Sequence, residues 1–169
     1  MTQAERRPVP LHERFSVPVE EFRVTEWPMH YLLAIANMHQ RNLDFVLAKF
    51  DCPVTFWRVL SVLNQEDGKT VGYLAEISVA QRSNMSRVVD AMEKAGLVVR
   101  EDKEGDRRKR LIFMSEKGRD LLNAVFADVM SYYRRFLAGM SDQECDEFVR
   151  LLKKVKQNVG SHLSDAVGW

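Results

Sequence analysis

Cysteine is scarce in this chain. There are two among 169 residues, Cys52 and Cys145, with no Cys-x-x-Cys pair. That count leaves no basis for a disulfide framework or a cysteine-based zinc site, and it predicts two reduced, packed thiols. Long apolar runs are missing too. No stretch of 18 apolar residues exists, so no membrane-spanning helix can be drawn. The opening segment, MTQAERRPVPLHERF, places charges and prolines where a secretory signal needs an apolar core, and a cytoplasmic protein is expected. Catalytic signatures are equally thin. The chain has no glycine-rich phosphate loop, no nucleophile–base pair and no nameable cluster of catalytic carboxylates. His30 and His39 stand nine residues apart, so they do not share a helix face as i, i+4 metal ligands would, and His12 and His162 lie near the ends. The expectation is a protein that is not an enzyme and carries no metal or cofactor.

What is present is the material of one ordinary globular domain, with 46% apolar and 29% charged residues. The net charge of +1 hides an uneven distribution. Residues 1–80 carry −2, residues 81–110 carry +3, and residues 111–169 are neutral. A local basic stretch, rather than the overall balance, is the electrostatic footprint of phosphate contact.

Periodicity organises the rest. Residues 1–24 hold Pro8, Pro10 and Pro18 among charges without a sustained period, which suits an extended arm. Pro28 suits a first helical turn, and apolar residues from Leu32 to Phe50 predict a long helix broken by Asp51-Cys52-Pro53. Trp57, Leu60 and Leu63 predict a second helix from Val54 to Asn64, closed by a turn at Glu66–Lys69. Thr70 is a suitable N-cap for a short helix, Val71 to Ile77, with Val71, Leu74 and Ile77 on its buried stripe. A further helix spans Arg82 to Ala95, with Met85, Val88, Val89 and Met92 on one face and Gly96 as its stop.

The period then changes from 3.6 to 2. Leu97–Glu101 and Arg110–Met114 predict two strands joined by a polar loop, 102–109. One helix follows Ser115, and another opens on the capping box Ser141-Asp142-Gln143-Glu144. The predicted fold is mainly α with a small β-hairpin wing, a winged helix-turn-helix lobe between N- and C-terminal dimerisation helices. Its parts are an arm (1–24), an N-terminal dimerisation helix (25–50), the DNA-binding lobe (51–118) and C-terminal dimerisation helices (119–169).

Two short helices followed by a charged hairpin point to nucleic acid for a steric reason. An α-helix fills the major groove, where base edges show distinct donor and acceptor patterns. The helix from Arg82 has one apolar face to seat it and another offering Arg82, Ser83, Asn84, Ser86 and Arg87, the chemistry of base and phosphate contact. The competing reading is a winged-helix protein–protein module without DNA binding. It would call for an apolar or acidic face there, and this face is polar and basic.

From Thr55 to Leu122 the chain resembles the MarR family of transcription regulators. The matching blocks are Phe56–Leu60, Thr70–Ala75, Ser83–Asp90, Glu93–Val98, Asp106–Arg108 and Ser115–Gly118. Two departures stand out. The turn Ser78-Val79-Ala80-Gln81 has no glycine, and Gly72 and Tyr73 occupy positions where polar residues are commoner. The resemblance implies a cytoplasmic homodimer, most often a repressor, on double-stranded DNA with a pseudo-palindromic operator. It also implies that Arg107 or Arg108 contacts DNA from the wing, with Asp106 orienting Arg108. Release by a small aromatic acid or phenolic effector is a further family habit, for which His30, Tyr31, Trp57 and Arg58 are the candidate residues.

Overall fold

The computed structural model describes residues 16–103 and 106–166, and only the backbone at 103, 106–109 and 161–166. The chain divides into two compact units, residues 1–42 and 43–169, with the boundary inside the first long helix. The expected arm therefore lies in part outside the described residues, at 1–15.

In the first unit two 3-10 turns, Val19–Glu21 and Val24–Glu26, lead into α1 (Pro28–Ala48). Pro28 opens that helix where a backbone N–H has no intrahelical partner to lose. The rings of Phe22 and Trp27 pack at 5.3 Å between centroids. Met29, Tyr31, Leu33 and Met38 are each more than half exposed, so this unit buries little of its apolar surface.

The second unit begins with the last turns of α1. It continues through α2 (Val54–Gln65), α3 (Val71–Ile77) and α4 (Arg82–Lys94) to the strands β1 (Val98–Lys103) and β2 (Asp106–Met114). Two long helices complete it, α5 (Glu116–Phe136) and α6 (Asp142–Ala166). One apolar core runs through it. Leu43 and Leu47 of α1 join Trp57, Leu60 and Leu63 of α2, Leu74 of α3, Met85, Val89 and Met92 of α4, Ile112 of β2, and Leu122, Val125 and Val129 of α5. These positions repeat at three and four residues along each helix, as burial against a neighbour requires. In α6 no described residue is fully buried, and Val149, Leu151, Val155 and Val159 are all more than 40% exposed.

The core corrects two expectations. Ile77 is 45% exposed and not on the buried stripe of α3. Packing selects Val71, Leu74, Ala75 and Ser78, an i, i+3, i+4, i+7 set that turns Ile77 outward. The second correction concerns the wing. The strands run beyond the expected polar loop, to Lys103 and from Asp106, in an antiparallel ladder pairing Val98 with Met114, Arg100 with Ile112 and Asp102 with Arg110. Backbone pairing needs no apolar alternation, so polar residues extend the hairpin with an irregularity between Asp102 and Lys103. Lys69 adds a short third edge by exchanging both backbone hydrogen bonds with Ile112, at 3.1 and 2.8 Å.

The junction of α4, β1 and α5 holds the lobe together. Gly96, at φ 73°, ends α4, and the N–H groups of Gly96 and Leu97 return to the carbonyls of Glu93 and Met92. Ser115 Oγ accepts from Gly118 N–H at 3.0 Å as the cap of α5 and donates to the Gly96 carbonyl at 2.6 Å. Lys117 Nζ donates to the Ala95 carbonyl at 2.8 Å. The helix ends on both sides of the hairpin thus satisfy one another. At α6 the capping box forms in full. Ser141 N–H donates to Glu144 Oε2 at 2.8 Å, and Glu144 N–H donates to Ser141 Oγ at 3.3 Å.

Candidate nucleic-acid interface

The helix pair α3–α4 and the hairpin form one continuous assembly within the second unit. Thr70 caps α3 by accepting from Tyr73 N–H at 3.2 Å. Lys69 lies over the Tyr73 ring at 4.8 Å and also pairs with Glu66. On α4, Met85, Val89 and Met92 are fully buried, while Arg82, Ser83, Asn84, Ser86 and Arg87 are all exposed. The five candidate readers therefore stand on the solvent side of a helix whose other side is locked into the core. Arg82 has a second neighbour. Its guanidinium carbon lies 3.8 Å from where a Cβ would stand on Gly72, so the side chain runs along α3 where that glycine leaves room.

The wing is tied to α4 by a residue the sequence reading did not single out. Arg100 on β1 donates to Glu93 Oε2 at 2.5 Å and, through its other terminal nitrogen, to Asp90 Oδ1. Its side chain is only 19% exposed. The planar fork lets one cation span two carboxylates on successive turns of α4, which an ammonium would do less well. Near the hairpin base, Asp67 Oδ1 accepts from Met114 N–H at 2.9 Å and from Gly68 N–H at 3.1 Å. Both links depend on how the strands fold back, a relation that spacing along the chain does not carry.

Of the wing candidates, Asp106, Arg107 and Arg108 lie on β2, and their side chains are outside the described residues. Arg110 pairs loosely with Asp102 across the ladder at 3.7 Å.

The four ligand candidates fall in two groups. His30 and Tyr31, in the first unit, meet edge to face at 5.4 Å. His30 also lines an open groove of about 450 Å³ with Phe22, Trp27, Leu33 and Asn37. Trp57 is 6% exposed within the core of the second unit, and Arg58 is half-buried beside it. Cys52 is buried, and desolvation pushes its thiol up to about 11. Little thiolate forms at neutral pH, so the native protein should label with a thiol reagent at Cys145, and at Cys52 only on unfolding. Rapid labelling of Cys52 in the folded protein would contradict that environment. No helix among the described residues is long and apolar enough to cross a membrane.

Comparison with known proteins agrees with this geometry. A model of the MarR family matches residues 52–109, the span from the start of α2 into the wing. The HTH-type transcriptional repressor IacR of Pseudomonas putida is 23% identical over 148 residues, covering 88% of this chain and 89% of that protein. A MarR-family regulator from Silicibacter pomeroyi superimposes with a TM-score of 0.75 at 22% identity, over 85% of this chain and 97% of the other. CouR from Rhodococcus jostii, solved with p-coumaroyl-CoA, superimposes with a TM-score of 0.72 at 24% identity, over 79% and 94% of the two chains. CouR has also been solved on a 23-mer DNA duplex. In its matched domain, its order of elements and its winged lobe, the chain is similar to the MarR family of winged helix-turn-helix transcriptional regulators.

Proposed function

We propose that this regulator is a repressor that binds a pseudo-palindromic operator in double-stranded DNA as a homodimer. The observation that carries the reading is the two-sided character of α4. A fully buried apolar stripe immobilises the helix, and its free side offers two arginines, two serines and an asparagine. Such a surface suits the major groove, and the adjoining hairpin brings Arg107 and Arg108 toward the neighbouring backbone or minor groove. The rival reading, a winged-helix protein–protein module, is disfavoured because the exposed acids of α4, Asp90 and Glu93, are paired with Arg100 and the rest of its outer side is polar and basic. CouR, which shares this fold, has been solved on a DNA duplex, and that supports the DNA-binding reading.

Dimerisation is supported by exposed apolar residues in both terminal regions, Leu33 and Met38 on α1 and Val149, Leu151, Val155 and Val159 on α6. Sedimentation should give a dimer at micromolar concentration. Footprinting on a duplex selected from a random library should protect two half-sites about one helical turn, roughly 34 Å, apart. A folded monomer, or a single asymmetric footprint, would overturn the model.

The finer proposal is release by a small aromatic acid or phenolic effector. The phenolic acyl group of p-coumaroyl-CoA, a thioester bound by CouR, and the aromatic side chains around His30 support an effector with a phenolic or aromatic group. Such an effector must bind the DNA-incompetent state more tightly than the competent one, or operator affinity will not change.

A further inference from the structure

The connection between α3 and α4 contains a residue whose conformation the fold requires but whose side chain the fold does not use. Among the described residues two non-glycines adopt positive φ, Asp51 at 49° and Val79 at 54°. Aspartate tolerates the left-handed region, whereas a β-branched side chain there is a genuine outlier. The backbone at Val79 closes α3. Its N–H donates to the Glu76 carbonyl at 3.2 Å, and the next N–H, of Ala80, reaches the Ala75 carbonyl at 2.9 Å. Such a helix end takes glycine by default. Burial does not offset the strain, because Val79 is 88% exposed, more than any other large exposed apolar residue among those described.

Strain kept on a residue with no packing role points to function, and the position says which one. Val79 lies three residues before Arg82, the first residue of α4, a Cα separation of roughly 11 Å at most. In helix-turn-helix docking the N-terminal residues of the second helix meet the base edges. The apolar feature that a major groove offers there is the thymine C5-methyl group.

We propose that Val79 is a specificity-determining residue whose isopropyl group contacts a thymine methyl in each half-site. This rests on the DNA-binding reading above. Valine supplies the apolar surface that glycine would lack, and the left-handed backbone presents it outside the packed lobe.

The test uses the full-length protein and a duplex that the wild type selects from a random library. Val79→Gly should raise the melting temperature by roughly 2–3 °C, since strain is relieved and almost nothing is unburied. The same variant should bind the selected duplex roughly fivefold more weakly, with its salt dependence unchanged because no phosphate contact is lost. Uracil would then replace thymine at one position at a time. At one position per half-site, removing the methyl should weaken the wild type by a similar factor and leave Val79→Gly unaffected. Equal affinity of the two proteins for the selected duplex overturns the proposal. Weaker binding by the variant with no thymine dependence also overturns it, and moves the contact to deoxyribose. A wild-type protein that enriches no duplex at all overturns the DNA reading itself.

Discussion

Gly118→Ala should destabilise the protein by about 3 kcal/mol or more and lower its melting temperature by roughly 6–12 °C. Gly118 is buried in the first turn of α5, and a Cβ there would overlap the carbonyl oxygen of Leu97. It would also stand 3.1 Å from Met114 Cγ and 3.2 Å from Leu60 Cδ2, with core on every side. Relief by side-chain rotation is closed off, because the main obstacle is backbone. That backbone is held by its own bonds, Leu97 accepting from Ser115 N–H at 3.1 Å and donating to the Met92 carbonyl at 2.9 Å. Gly72→Ala provides the control. Its added Cβ meets nothing closer than 3.8 Å, and the gain in helix propensity, about 0.5–1 kcal/mol, should leave stability equal or higher. Urea and thermal unfolding of the two variants should therefore move in opposite directions. A Gly118→Ala protein that melts with the wild type would show that the α4–β1–α5 junction is looser than its hydrogen bonds imply.

The same junction shows what sequence reading can reach. The block Ser115-Glu116-Lys117-Gly118 is legible as a helix start, because a cap and its helix are neighbours in the chain. Its second role, closing the end of α4 through Ser115 Oγ and Lys117 Nζ, joins residues 19 and 22 positions apart. That role appears only after the hairpin folds back. Helix limits followed the same logic. Val71–Ile77 is read correctly from Thr70 onward, since capping is local. Its buried face differs from the expected one at Ile77, because apolarity alone does not decide burial and packing selects Ser78. Ser78 Oγ is buried with no hydrogen-bond partner, a cost that no pattern of apolar residues would suggest. The missing glycine in that turn was visible in the sequence, whereas the left-handed backbone that Val79 must adopt there was not.

Arg100→Ala should weaken operator binding by roughly 10- to 100-fold, about 1.4–2.8 kcal/mol, although the residue need not touch DNA. Arg100 holds Glu93 and Asp90 together, and their side chains are 40% and 54% exposed. The acids are solvated and the pairs add little to folding, but Arg100 itself is only 19% exposed and its stem is packed, so the melting temperature should fall modestly. Two consequences reach the DNA surface. The wing loses its polar tie to α4, so ordering it on the duplex costs more. On the DNA-binding reading, the carboxylates of Asp90 and Glu93, on the helix assigned to the groove, would also become uncompensated negative charges near phosphates. Arg100→Lys restores one charge but spans the two acids poorly, and should fall between.

Salt dependence separates this role from direct contact. Arg100 is engaged within the lobe, so its loss should leave the slope of log K against log salt nearly unchanged. Arg108→Ala, by contrast, should weaken binding across many sequences by about 1–3 kcal/mol and reduce that slope by about one. Asn84→Ala and Arg87→Ala should instead alter which operator variants are preferred, because the major groove distinguishes every base pair. Titrations of the four variants on an operator library at two salt concentrations would decide the assignments. If Arg100→Ala lowers the slope as Arg108→Ala does, Arg100 leaves its carboxylates for a phosphate on binding, and its role as the tie between wing and α4 is wrong.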